Sequence, residues 1–118
     1  MDIKEANIGF HHSERLKSNF LLIAQTLDSL SGLHSQELDG AKSVLKALFA
    51  GLLTEIRIAE GQILSGELAQ SELKVIEAEE NVELGDYDKA REKLGEGLSQ
   101  ITTLSQEYIE PLLAADLL

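Results

Sequence analysis

Cysteine and tryptophan are absent from the 118 residues, proline occurs once, and aromatic residues reach only 4%. Without cysteine there is no disulfide, no thiolate nucleophile and no cysteine-ligated zinc or iron–sulfur site, and the chain suits a reducing cytoplasm, where we expect it. The lone proline, Pro111, leaves everything before it free of the strongest helix breaker. No apolar run approaches the ~20 residues that a membrane span needs. Asp2, Lys4 and Glu5 precede any apolar stretch, so no signal peptide is expected.

What is present is aliphatic and acidic. Hydrophobic residues make up 43% of the chain, so the interior must be built from Leu, Ile, Val and Ala, the usual material of packed helices. A chain of this length is expected to fold as one domain with one core, residues 1–118. Its net charge of −11 is lopsided. Residues 1–54 hold six acids and five bases, whereas residues 55–118 hold fifteen acids and five bases. Such a surface repels phosphate backbones and anionic lipid, which argues against a nucleic-acid or membrane partner.

Apolar spacing in threes and fours predicts four helices, over about 13–31, 36–64, 68–84 and 87–110. Leu16, Phe20, Ile23, Leu27 and Leu30 form the first stripe, widened by Leu21, Leu22, Ala24 and Leu33. Asp2 with Glu5 has the spacing of a capping box and Ser13 is a later N-cap, so residues 1–12 read as either an arm or a helix extension. After Ser31-Gly32, Ser35 is placed to cap the second helix, expected to be the longest, with Leu38, Ala41, Leu45, Leu48, Leu52, Ile56, Ala59 and Ile63 facing inward. A line of mostly small residues, Ala47, Gly51, Thr54, Ile58 and Gly61, lies beside that stripe. Its glycines suggest close approach of a neighbouring helix, as do Gly95 and Gly97 later.

The phase slips near Ser65-Gly66, where a turn is placed. Ala69, Leu73 and Ile76 on one line and Leu68, Val75, Ala78 and Val82 on the next mark the third helix, with Glu77, Glu79, Glu80 and Glu83 filling the other side. Leu84-Gly85-Asp86 reads as a glycine stop followed by an aspartate cap, and Tyr87, Ala90, Leu94, Leu98, Ile101, Leu104 and Tyr108 form the fourth stripe. Pro111 is expected to kink or restart that helix before an apolar tail, residues 111–118. No run alternates with period two between turn signals. The expected fold is all-α, an antiparallel up-down-up-down four-helix bundle.

Gly85, Tyr87, Ala90 and Leu94 resemble the turn and second helix of a tetratricopeptide repeat over about twenty residues. Lys74, Glu77 and Asn81 stand where that repeat places bulky groups, and no second copy occurs at its ~34-residue period, so the stretch reads as an ordinary helical hairpin. Arg15 to Ile23 resembles the phosphoacceptor helix of a class of sensor histidine kinase. The histidine that family requires is replaced by Ser13 and Glu14, with His11-His12 standing earlier in the chain. Histidine phosphotransfer bundles, similar only in architecture, follow the acceptor with Lys and then Gly; none of His11, His12 and His34 has that context. His11/Glu14 and His34/Glu37 have metal-compatible spacing, but the pairs are expected near opposite ends of the first helix.

Phosphate-binding glycine loops, nucleophile elbows and zinc-protease motifs are all absent. The sequence therefore assigns no catalytic, cofactor-binding or metal-ligating residue and no cofactor. It points to a non-enzymatic interaction or adaptor module whose acidic second half, or apolar segment beyond Pro111, docks a protein partner or a second copy of itself. A histidine phosphotransfer-type bundle and a metal-binding bundle are the alternatives.

Overall fold

The carboxylate of Asp2 accepts the Glu5 N–H at 2.8 Å, so the first helix, α1 (Ile3–Asp28), starts from the early cap and absorbs the N-terminal residues as a helix extension. Ser13 is buried within that helix, its hydroxyl donating to the Phe10 carbonyl at 3.0 Å. The computed structural model describes all residues, Met1–Leu118, and adds α2 (Ser35–Glu60), α3 (Gly66–Glu83) and α4 (Tyr87–Ala114), with no strand.

Two helix ends differ from the sequence-based expectation. The residue capping α2 is His34, with no side-chain hydrogen bond, and Ser35 takes φ 53°, the left-handed region that disfavours a side chain. The longest helix is α4, at 28 residues against 26 for α2, because α2 ends at Glu60 while α4 runs through Pro111. The tail divides there: Leu112 is buried, whereas Leu113, Leu117 and Leu118 are exposed.

Helix α1 packs on α2 and α4, and α3 packs on α2 and α4, with no close backbone approach across either diagonal. Contacts descend one helix as they ascend its neighbour. His12 meets Gln62 and Arg15 meets Glu55 beside α2, whereas Asp28 meets Arg91 and Phe20 meets Gly97 beside α4. Between α3 and α4, Gln70 meets Gln100 and Lys74 meets Glu96. These pairings fit the antiparallel up-down-up-down order, in a rod of 53 × 22 × 19 Å.

The inward stripes of α1 and α4 lie largely where apolar spacing puts them, and on α3 the line Leu68, Val75, Ala78 and Val82 is buried while Ala69 and Leu73 are exposed. On the α2 stripe Phe49, four residues after Leu45 and three before Leu52, takes the inward place given to Leu48, which with Leu38, Ala41 and Ile63 is only partly buried. Leu16, Phe20, Ile23, Leu27 and Leu30 join Leu45, Phe49, Leu52 and Ile56, with Val75, Ala78, Leu94 and Ile101 from the other two helices. Leu21 and Leu22, expected to widen the first stripe, are instead half exposed. Packing is uneven, and side-chain size explains why. Small buried residues, Ala6, Gly9 and Ser13 on α1, Ser71 and Ala78 on α3 and Gly97 on α4, let backbones come close. Helix α2 presents mainly Leu45, Phe49, Leu52 and Ile56, which hold it farther off.

Candidate functional site

Three places gather chemistry or exposed apolar surface. The first is the bundle end formed by the start of α1, the α2–α3 turn and the end of α4. Ser65 caps α3 by accepting the Glu67 N–H at 3.2 Å, and its hydroxyl donates to Glu67 Oε2 at 2.8 Å. That bond holds the Glu67 carboxyl below the ordinary carboxylate range. Glu107, facing it from α4, is pushed up by burial and then by the Glu67 charge. Glu60 on α2 is raised in the same way, by burial first and by Glu72 second, with Arg57 opposing. Tyr108 is also raised, by burial and then by Glu107, Glu67 and Glu5. These are like-charge contacts between helix ends.

The second place is the α3–α4 surface. Lys74 lies 3.1 Å from Glu96 and Lys93 lies 3.2 Å from Glu77, with the remaining sides of the square at 3.8 and 3.6 Å. The Glu77 hydrogen bond raises the Lys93 ammonium, and Lys74 lowers Glu96. Ion pairs at a solvent-accessible helix surface contribute little each to stability, even half-buried as these are. Their local effect is to occupy the only lysine of α3, leaving Glu79, Glu80 and Glu83 without an ion-pair partner.

The third place is the outer side of α1 and α2. An open groove of about 230 Å³ runs between them, with the buried Ile23 and Leu52 beneath it, Leu22, Leu48, Ala47 and Gly51 along its sides, and the Arg15–Glu55 ion pair, at 3.0 Å, also lining it. Here the structure corrects the sequence. Ala47, Gly51, Thr54, Ile58 and Gly61 form no helix contact: all are exposed, and nothing lies within 4 Å of where a Gly51 Cβ would stand. Gly95 is equally open, whereas Gly97 does sit against Phe20. A close approach that sequence reasoning missed is Gly9, whose missing side chain makes room for the Tyr108 ring. Its spacing from Leu16 and Phe20, which continues the core stripe toward the N-terminus, was the available signal.

The histidines are not brought together. His12 Nε2 lies 2.6 Å from Gln62 Oε1, His11 is exposed with its ring edge-on to Phe10, and His34 is at the opposite end of α2. No three His, Asp or Glu side chains converge in a metal-binding group. No helix is long and apolar enough to cross a membrane. No family model, curated protein or solved structure matches this chain.

Proposed function

We propose that this chain is a non-enzymatic interaction module, a bundle that acts by presenting a helix face to another protein or to a second copy of itself. The observation that carries the reading is the outer side of α1 and α2. Leu22, which lines the groove, and Val44 and Ile58, on the same outer side of α2 as the exposed Ala47 and Gly51, are each about half exposed, at 50%, 57% and 49%. Scattered single apolar residues need no explanation, but apolar groups grouped beside a groove mark an interaction surface. A cytoplasmic setting belongs to the same reading, on the composition already described. The phosphotransfer and metal-binding alternatives gain no support from the geometry, since His12 is engaged by Gln62 and His34 lies far along the rod.

A photo-crosslinking residue in place of Val44, introduced into the full chain in cells, tests the proposal. A discrete crosslinked product is expected there, and none from the same residue at Glu80 on the acidic face. Irradiation that yields no product from Val44 would remove the reading.

A further inference from the structure

We infer that the chain associates with a second copy of itself through the outer face of α2, the two α2 helices lying antiparallel about a twofold axis near Ala47 and Leu48. This rests on the interaction reading above and names its partner.

The face is unusual for one turned to solvent. Solvent-facing sides of amphipathic helices carry charge, yet residues 43–54 contain one charged side chain, Lys46. Ala47, Ala50, Gly51 and Thr54 are all exposed, with the larger Val44 and Ile58 at either end. Small residues in the middle permit close approach of a second helix. The flanking apolar groups supply contacts to fill the hollows of an identical face.

The charge pattern of α2 matches a second copy of itself, and that of α3 does not. Helix α3 carries six glutamates and one lysine, so two copies meeting through it would stack like charge. Helix α2 carries four acids and three bases and meets itself at little electrostatic cost. The placement of those charges is self-complementary as well. Asp39 and Arg57 are eighteen residues apart, which at ~3.6 residues per turn is a whole number of turns and sets both on one edge of the face. Antiparallel pairing about their midpoint puts Asp39 of each copy beside Arg57 of the other, twice by symmetry. Asp39 has no ion-pair partner within its own chain. Arg57 uses only its Nε toward Glu72, at 3.0 Å, and its side chain remains 61% exposed. Lys46 is the one like-charged group near the axis, and its long stem carries the ammonium to the rim.

The size of the face sets the strength. Its length is ~27 Å at ~1.5 Å per residue and its width ~10 Å, well below the ~800 Å² per partner of a standard stable interface. Association is therefore weak and concentration-dependent.

Sedimentation equilibrium of the full chain from about 1 to 300 µM tests this, the range being chosen for an interface of that class. The apparent mass is expected to climb from 12.9 kDa toward twice that value. Gly51→Glu, which has open space for its side chain, is expected to weaken association at least ~10-fold with unchanged helical circular dichroism; the exposed Ser99→Glu on α4 is expected to leave it as it was. Asp39→Arg and Arg57→Asp are each expected to weaken it, and the double variant to recover it. A monomer throughout, a dimer indifferent to Gly51→Glu, or a charge swap without recovery would each overturn the inference. A monomeric chain that crosslinks in cells from position 44 to a different protein would overturn self-association and spare the interaction reading. A monomeric chain without any crosslink would end both.

Discussion

A methyl group added at Gly97 would stand 2.8 Å from Phe20 Cε1, and one added at Gly9 would run into the Tyr108 ring, while the same addition at Gly51 or Gly95 meets nothing within 4 Å. Alanine at Gly9 or Gly97 is therefore expected to destabilise by about 1–3 kcal/mol through overpacking. Alanine at Gly51 or Gly95 is expected to stabilise by up to ~1 kcal/mol through helix propensity. Urea denaturation of the four variants checks this, and equal effects would contradict the packing described. Ser71 makes the same point with a polar group: it is fully buried and its Oγ has no partner. Ser71→Ala is expected to be neutral or to stabilise by about 1 kcal/mol. A glycine in a helix reads identically in sequence whether it faces a neighbour or water. Gly97 was legible because it follows Leu94 on the core stripe, whereas Gly51 lies one residue before Leu52 and its openness depends on how far α2 stands from α1.

At the scale of helices, inward stripes were legible from their spacing, since burying each one requires a facing helix at that period. Helix ends were less so, because they depend on local contests. Asp2 outcompeted Ser13 as a cap, and α4 continues past Pro111 although the ring removes one hydrogen-bond donor. Helix α2 is the least secured element, with no side-chain cap, a strained Ser35 and bulky contacts that keep it at a distance. Its amides, under native conditions, are expected to exchange hydrogen at a lower opening free energy than those of α4. Slower exchange in α2 than in α4 would contradict that ranking. Within the C-terminal turn, Leu112→Ala is expected to cost about 2–4 kcal/mol and Leu113→Ala within about 0.5 kcal/mol, readable in the same denaturation assay.

Over the whole molecule, the net charge of −11 and the crowded carboxyls at one end make stability depend on pH. Glu60 and Glu107 have folded pKa values above their ordinary 4.5, so the folded state holds more protons than the unfolded chain just above that value. Stability from this source falls as pH rises through that window. Glu67 and Glu96 are lowered, and their contribution, present above 4.5, is lost as pH falls through their folded values. The two trends place the highest Tm at low salt on the mildly acidic side, at about pH 5, with added salt raising Tm more at pH 8 than there. A Tm that climbs steadily from pH 5 to 8 would contradict this. The candidate surface was only half legible at this scale. The charge-poor run of residues 43–54, with Lys46 its single charged side chain, was visible in the sequence, but its exposure follows from packing that leaves this side of α2 uncovered.

Hydrogen exchange followed by mass spectrometry, on the full chain at about 1 and about 300 µM, tests whether α2's outer face is where this bundle meets its partner. A copy docked there suppresses the opening of the least secured helix. Slower exchange across residues 43–58 is expected at the higher concentration, with α3 unchanged. Identical exchange in α2 at both concentrations, or protection confined to α3, would contradict it.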